Sequence, residues 1–293
     1  MRASRPASRA YLAAMPNIAF LGTGLLGSAF VEAAQQRGDQ VTVWNRTIDK
    51  ARKLETFGAK VASTPAEAVR GAERVHLVLT DDAAVEEVIA ALRPGLAPDT
   101  IIVDHTTTLP ALTAERATRL NAGGVKYLHC PVFIGPSAAR KSQGIIMAAG
   151  SQALFERVKP ALEKQAAQVQ YLGERPDLAA VYKLCGNAFI IGIMGITSDV
   201  FAVARGARVE AQDALKLLEF WNPAAVILGR GRAMANQDFK PSFELTMARK
   251  DVKLMLETAT GQDLAILPGL ASRMDAVIAE GFGDRDMAVI GRL

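Results

Sequence analysis

Cysteine is nearly absent: two residues in 293 cannot staple a disulfide framework, and Cys130 and Cys185 do not form a metal-ligand spacing. The expectation is a reducing, cytosolic setting with no bound metal. Aromatic residues are scarce at 6%, and the net charge is only +4. No basic run is interleaved with aromatics, so nucleic acid is not an expected partner. A slightly basic protein that handles anionic ligands explains the charge equally well. A long apolar run is also missing. The longest, residues 188–203, is interrupted by Thr197, Ser198 and Asp199, too short and too polar for a membrane span, and reads as a buried helix. Residues 1–15 carry Arg2, Arg5 and Arg9 and no acid. They lack the apolar core of a secretory signal. They are read as an unstructured extension with Met15 as an alternative initiator, a targeting peptide being the other reading.

What is present is half apolar and includes 24 glycines, the balance of a globular α/β or α-rich enzyme. The length suits one large domain or two ordinary ones. Short apolar runs at 17–21, 40–45, 74–79, 100–104, 126–130, 145–149 and 168–172 read as strands bounded by Gly, Pro or Asp. Helical stretches lie between most of them. Thr64-Pro65-Ala66-Glu67 predicts a helix start, with a Thr cap, Pro at the first position and Glu placed to complete a capping box. Alternating strands and helices imply a mostly parallel sheet covered on both faces. From about residue 177 no strand is expected. A long apolar helix over 178–207 leads instead into helices near 211–220, 223–235, 243–260 and 268–279. Gly186, Gly192 and Gly195 lower the propensity of that long helix, and close packing is the expected reason for them.

The strand at 17–21 runs straight into Gly22-Thr23-Gly24-Leu25-Leu26-Gly27 and then a helical stretch. Glycines in this pattern allow a tight turn, close approach of backbone to a pyrophosphate, and close helix–strand packing. Backbone N–H groups at the helix start then face the phosphates. Between a strand and a helix, at the head of an alternating domain, the motif predicts dinucleotide binding. At the end of the second strand an acid would accept hydrogen bonds from a ribose 2′-OH. Here stand Asn45, Arg46 and Thr47, with Lys50 close behind. Arg46 can stack on adenine and pair with a 2′-phosphate, and Thr47 can donate to it, so NADP(H) is expected. A solvated helix start is the other use of Arg46 and Lys50.

With these motifs the chain resembles the β-hydroxyacid dehydrogenases: 3-hydroxyisobutyrate dehydrogenase, tartronate semialdehyde reductase, the glyoxylate/succinic semialdehyde reductases and, as close relatives, the imine reductases. The resemblance runs from Asn17 to the C-terminus. It implies a Rossmann-type NADP-binding domain over 16–175, like that of 6-phosphogluconate dehydrogenase, then an all-helical substrate and oligomerisation domain over 176–293. A homodimer or homotetramer is implied.

Asp104-His105-Thr106-Thr107-Thr108-Leu109-Pro110 is similar to the family's D-x-S-T-x-x-P segment. By that likeness Thr107 lies near the nicotinamide half of the cofactor and Thr106 borders the substrate; a threonine-rich helix cap is the alternative. Leu79 and Thr80 match positions whose backbone touches the cofactor. Lys183-Leu184-Cys185-Gly186-Asn187 resembles the K-x-x-N-N signature, which makes Lys183 the proton-transfer residue. Asn187, four residues on and on the same helix face, would orient it. Apolar neighbours Ala179, Ala180, Val181, Leu184 and Phe189 would lower the lysine pKa towards working pH. The alternative is a lysine whose stem packs on the helix while its head reaches water. Cys185 is read as core. Lys250 and Asp251 resemble a downstream K-D signature, Lys250 serving the cofactor and Asp251 the substrate; an exposed charge pair is the other reading.

Two departures bear on substrate. Where the family shows P-V-S-G-G, this chain has Phe133, Ile134 and Gly135 after Pro131-Val132. A hydroxyl that would hold a substrate carboxylate is gone and apolar bulk has been added. Gly186 replaces the first Asn of the lysine signature. The expected activity is NADPH-dependent interconversion of a small β-hydroxyacid or related alcohol with its aldehyde or ketone. Imine reduction and a non-catalytic NADP-binding scaffold are the alternatives. Retention of Lys183, where imine reductases generally carry Asp or Tyr, argues against the former.

Overall fold

A strand of Asn17–Leu21 (β1) lies at the centre of a parallel sheet because nearly every side chain along it is apolar and buried. The computed structural model describes residues 17–293; the reading of residues 1–15 lies outside them. The strands are β2 (Gln40–Trp44), β3 (Lys60–Val61), β4 (Arg74–Leu77), β5 (Ile101–Asp104), β6 (Lys126–His129), β7 (Val132–Phe133), β8 (Ile145–Ala148) and β9 (Gln168–Tyr171). β1 to β6 form one six-stranded parallel sheet in the order β3-β2-β1-β4-β5-β6. The order reverses direction beside β1, and such a switch point is where open α/β sheets bind ligands.

The sequence placed β8 and β9 with the rest. They form a separate sheet, β7-β8-β9, antiparallel at its first pairing. β3 and β7, two residues each, were not foreseen.

The chain divides into two compact units, the first ending at Gly186 and the second spanning Asn187–Leu293. Helices of the first are α1 (Leu25–Gln36), α2 (Ile48–Arg52), α3 (Pro65–Ala68), α4 (Asp82–Leu92), α5 (Pro110–Ala122), α6 (Pro136–Arg140) and α7 (Gln152–Leu162). At α3 the Thr64 hydroxyl accepts the Glu67 N–H at 3.1 Å, as expected. The reciprocal half of the capping box is different: the Glu67 carboxylate turns one residue further back, to the Ser63 N–H (2.8 Å) and hydroxyl (2.6 Å).

α8 (Leu178–Gly206) crosses from the first unit into the second, followed by α9 (Ala211–Leu215), α10 (Leu217–Phe220), α11 (Ala224–Asn236), α12 (Leu245–Thr258) and α13 (Leu267–Val277). The predicted helix near 211–220 is thus two short ones. The second unit has its own core, around Leu245, Val252, Leu267, Met274 and Val277.

Several expectations for α8 fail. Its 29 residues include an 18-residue window of mean hydropathy 1.7, long and apolar enough by length and composition to cross a membrane, and only 17% of that window is buried. Ile191 is 70% exposed, so this is not a buried helix. Asp199, which seemed to interrupt the apolar run, is fully buried and accepts the N–H groups of Ala265, Ile266 and Leu267 at 2.6–2.9 Å. It satisfies the start of α13 and costs the helix no exposed charge. Of its glycines, Gly186 and Gly195 sit against Phe133 and Ile266, where a Cβ would collide, while Gly192 has nothing within 4 Å. Cys185 is exposed, not core.

All three histidines are buried in the first unit. His105 Nδ1 lies 2.7 Å from the Cys130 carbonyl, which can only accept, so Nδ1 carries the proton. His105 Nε2 then accepts from His76 Nδ1 at 2.9 Å, and His76 Nε2 accepts from the Gln165 amide at 3.3 Å. Both rings are neutral, and protonating either sets two N–H groups against each other. Burial holds His105 down to about 4 and lowers His76 and His129 as well. Each is an ordinary histidine near 6.5 once unfolded, so the unfolded chain binds more protons below that pH. Stability is expected to be full above about pH 6.5 and to drop by about 3 kcal/mol for His105 alone as pH falls towards 4. Urea unfolding across that range checks it; a flat profile would contradict the buried neutral rings.

Candidate cofactor cleft and active site

Three glycines follow β1 for three different reasons. Gly22 has φ +99°, and a Cβ there would lie 2.2 Å from the Val78 carbonyl oxygen. A Cβ on Gly27 would lie 2.0 Å from the Gly22 carbonyl oxygen. Those two are required by the turn and by packing. Gly24 has an ordinary φ of −69° and nothing within 4 Å of a Cβ. Protein packing gives no reason for a glycine there; close approach of a ligand does. α1 begins immediately afterwards with no side-chain cap and no acid in its first turn. Its N–H groups and the positive end of its dipole are open to an anion. The Thr23 hydroxyl beside them is buried and has no hydrogen-bond partner among the described residues. An open glycine, an uncapped helix start and an orphaned hydroxyl fit a pyrophosphate.

The turn forms one wall of a cavity of about 450 Å³ in the first unit. Of the residues singled out from sequence, the cavity brings together Gly22, Gly24, Leu25, Leu26, Gly27, Asn45, Arg46, Thr47, Lys50, Leu79, Thr80, Thr106, Thr107, Ile134 and Lys183. It adds Trp44, Val78, Glu87, His105 and Val132, which sequence reasoning missed. Glu87 qualifies the expectation of an acid-free phosphate pocket. No acid stands at the end of β2, but α4 brings the Glu87 carboxylate within 4.0 Å of Arg46. Both side chains are largely exposed, so the pair is weak and screened.

Several of these residues build the cleft through contacts the sequence did not suggest. Asn45 accepts the Thr23 N–H at 3.0 Å and donates to the Thr47 carbonyl at 2.9 Å, tying the glycine turn to the end of β2. β4 stops at Leu77, so Leu79 and Thr80 lie in the following loop, not at a strand end. The Leu79 N–H is committed to the Thr106 hydroxyl at 3.1 Å. Asp104, fully buried, takes the Thr106 N–H (2.9 Å) and the Tyr127 hydroxyl (2.7 Å). Thr106 thus fixes the loops after β4 and β5 to each other, and Thr107 is left exposed on the cavity wall. The helix-cap alternative for these threonines fails: the α5 cap is Leu109 without a side-chain bond, and Thr108 instead meets Thr113 at 2.7 Å.

Lys183 lines the cavity from the first turns of α8. It is half-buried, and burial lowers its pKa from the usual lysine value. Of the apolar neighbours expected to desolvate it, Ala179 and Ala180 are buried and Val181 is half-buried, while Leu184 and Phe189 are exposed. The Phe133 ring lies beneath the ammonium, with the lysine Nζ 4.3 Å from its centroid. Phe133 itself stands behind the lysine, outside the lining, and packs with Met147, Ala149 and Ala179. Thr23 and Gly135 also lie outside the lining, Gly135 as the residue before α6. Asn187 is one helical turn beyond Lys183, in the second unit. Lys250 and Asp251 are on α12 of that unit, where they pair with each other at 3.0 Å.

Sheet order and glycine turn together define the class: a Rossmann-type protein that holds a nicotinamide dinucleotide. Comparison with known proteins makes this particular. Residues 17–173 match the NAD binding domain of 6-phosphogluconate dehydrogenase. Residues 178–293 match the domain described as NAD-binding of NADP-dependent 3-hydroxyisobutyrate dehydrogenase. The chain belongs to the 3-hydroxyisobutyrate dehydrogenase family and is an NAD(P)-dependent oxidoreductase. It is 29% identical to the uncharacterized oxidoreductase YfjR of Bacillus subtilis over 93% of this chain and 98% of that one. It is 28% identical to glyoxylate/succinic semialdehyde reductase 1 of Arabidopsis thaliana, over 93% and 96%. An imine reductase from Pseudomonas sp. shares the fold with a TM-score of 0.84, at 22% identity over 94% of this chain and 98% of that structure.

Proposed function

We propose that the chain uses NADPH to reduce a small aldehyde or ketone to the matching hydroxyl compound, a β-hydroxyacid in the leading case, with Lys183 supplying the proton. The observation that carries this reading is a partly desolvated amine on the wall of the same cavity as the open glycine turn. The bound nicotinamide supplies or takes up a hydride. Lys183 gives its proton to the carbonyl oxygen in reduction and takes it back from the hydroxyl in oxidation. Burial favours that exchange because it weakens the amine's hold on the proton.

Preference for NADPH rests on Arg46, Thr47 and Lys50, which line the cavity without an acid from β2. Arg46→Ala is expected to raise the Kd for NADPH about 10–100-fold, the worth of one charge-assisted phosphate contact. The Kd for NADH should stay within a few-fold. Fluorescence titration with both dinucleotides measures the difference; equal losses would place Arg46 outside phosphate recognition.

A second reading, reduction of C=N, is supported by the apolar Ile134 on the cavity wall and by the Phe133 ring beneath the lysine. NADPH oxidation with a panel of semialdehydes, keto acids and cyclic imines separates the two. A chain that binds NADPH and turns over none of them would be a scaffold.

We also infer that a second copy covers the apolar side of the second unit. Ile191 and Met194 on α8, and Phe220 at the end of α10, are each more than half exposed, and large open apolar side chains are what an interface between copies would cover. Light scattering that returns a monomer would remove this inference. A cytosolic location is proposed on the same footing as before, from two unpaired cysteines, one of them exposed.

A further inference from the structure

Phe133 and Gly186 both depart from the family pattern, and the structure brings them together. A Cβ on Gly186 would lie 2.1 Å from Phe133 Cζ and 2.8 and 3.0 Å from its two Cε atoms. Every residue except glycine carries that Cβ, so the ring occupies its place only while position 186 is glycine. Glycine inside a helix is otherwise disfavoured. The cleared ring lies under the Lys183 ammonium, 4.3 Å from centroid to Nζ.

Among the described residues of the first unit no charge contributes to the lowered pKa of that ammonium; the charged groups on the same cavity are Arg46, Lys50 and Glu87, with Glu87 4.0 Å from Arg46. On its own helix side, Asp177 is engaged by Arg175 at 2.7 Å. β7, which packs beneath it, carries no titratable group. His105, on the same cavity wall, is kept neutral by burial. Tyr182 and Cys185 flank the lysine in sequence and are exposed. Burial alone accounts for its shift. An aromatic face attracts a cation through its quadrupole, more strongly when water is excluded.

We propose that Phe133 is a positioning residue for Lys183 and that Gly186 clears its ring, the two acting as one unit that holds the ammonium at the cavity wall facing the reacting group. Burial pushes the proton off the amine; the ring face opposes this, so the lysine remains a usable donor in a partly desolvated site. The inference rests on Lys183 being the proton donor, and it assigns a purpose to two residues that lie outside the cavity lining.

The test uses the NADPH-bound protein, with Phe133→Leu, Gly186→Ala and the double variant. Leucine keeps apolar bulk and removes the ring face. Lysine amines labelled by ¹³C reductive methylation are titrated by NMR, with Lys183 assigned from a Lys183→Arg control. Phe133→Leu is expected to move the Lys183 titration down by about 0.5–1 pH unit, the size of a partly desolvated cation–π contact. Gly186→Ala should move it the same way by displacing the ring, and in the double variant it should add nothing further. With a turned-over substrate, the alkaline limb of kcat/KM should shift with the NMR titration while NADPH affinity holds.

An unchanged titration in Phe133→Leu, or effects of the two substitutions that simply add, overturns the proposal. Should Gly186→Ala fail to fold, Phe133→Leu alone decides it. Because the titration needs no turnover, an enzyme inactive on every panel substrate would sink the reductase reading and leave this result standing.

Discussion

Lys183→Ala is expected to lower kcat by about 10²–10⁴-fold, the usual contribution of a positioned general acid or base. NADPH affinity should change by no more than a few-fold. The groups suited to the phosphates are Gly24, the start of α1, Arg46, Thr47 and Lys50. The two pH profiles should also lose a feature. In reduction the amine must carry its proton, so kcat/KM for the wild type falls as pH rises through its lowered pKa. In oxidation the amine must be free, so the rate falls below that same pKa. The alanine variant has neither limb. Stopped-flow and steady-state NADPH consumption measure the rates, and fluorescence titration the affinity. Near-normal turnover would remove Lys183 from proton transfer. A loss confined to NADPH binding would make it a cofactor ligand.

Much of this was legible in the sequence, and the part that was not has physical causes. β1 and the glycine turn are contiguous, and their alternation and spacing are imposed locally, so they could be read directly. α8 was placed to within a residue because its long apolar stretch has no competing turn signal. β7 escaped, since two residues have no period, yet it carries the ring on which Lys183 rests. Phe133 and Gly186 were visible as two separate oddities; only the folded chain shows that one makes room for the other. Glu87 reaches the cavity through α4, far along the chain from the motifs it joins. Exposure of α8 escaped for a different reason. Apolar composition alone does not tell a buried helix face from an exposed one.

Gly24→Val isolates cofactor binding from folding, because the turn's glycines serve different ends. The backbone at Gly24 is ordinary, and the space a side chain would enter contains no protein atom within 4 Å. The melting temperature of the free protein should therefore move by no more than a degree or two. Valine at this point covers the start of α1 and stands where a pyrophosphate would approach its N–H groups. Two lost charge-assisted hydrogen bonds correspond to a Kd for NADPH raised about 10²–10⁴-fold. Gly22→Ala and Gly27→Ala should behave in the opposite manner. Each forces a Cβ to within about 2 Å of a carbonyl oxygen, and Gly22 adds a left-handed backbone, so both should unfold at markedly lower temperature. Calorimetry without cofactor, paired with NADPH titration, reads the two effects separately. A Gly24→Val protein that binds NADPH normally would show that the dinucleotide does not lie against this turn, and the cofactor site would have to be sought elsewhere on the sheet.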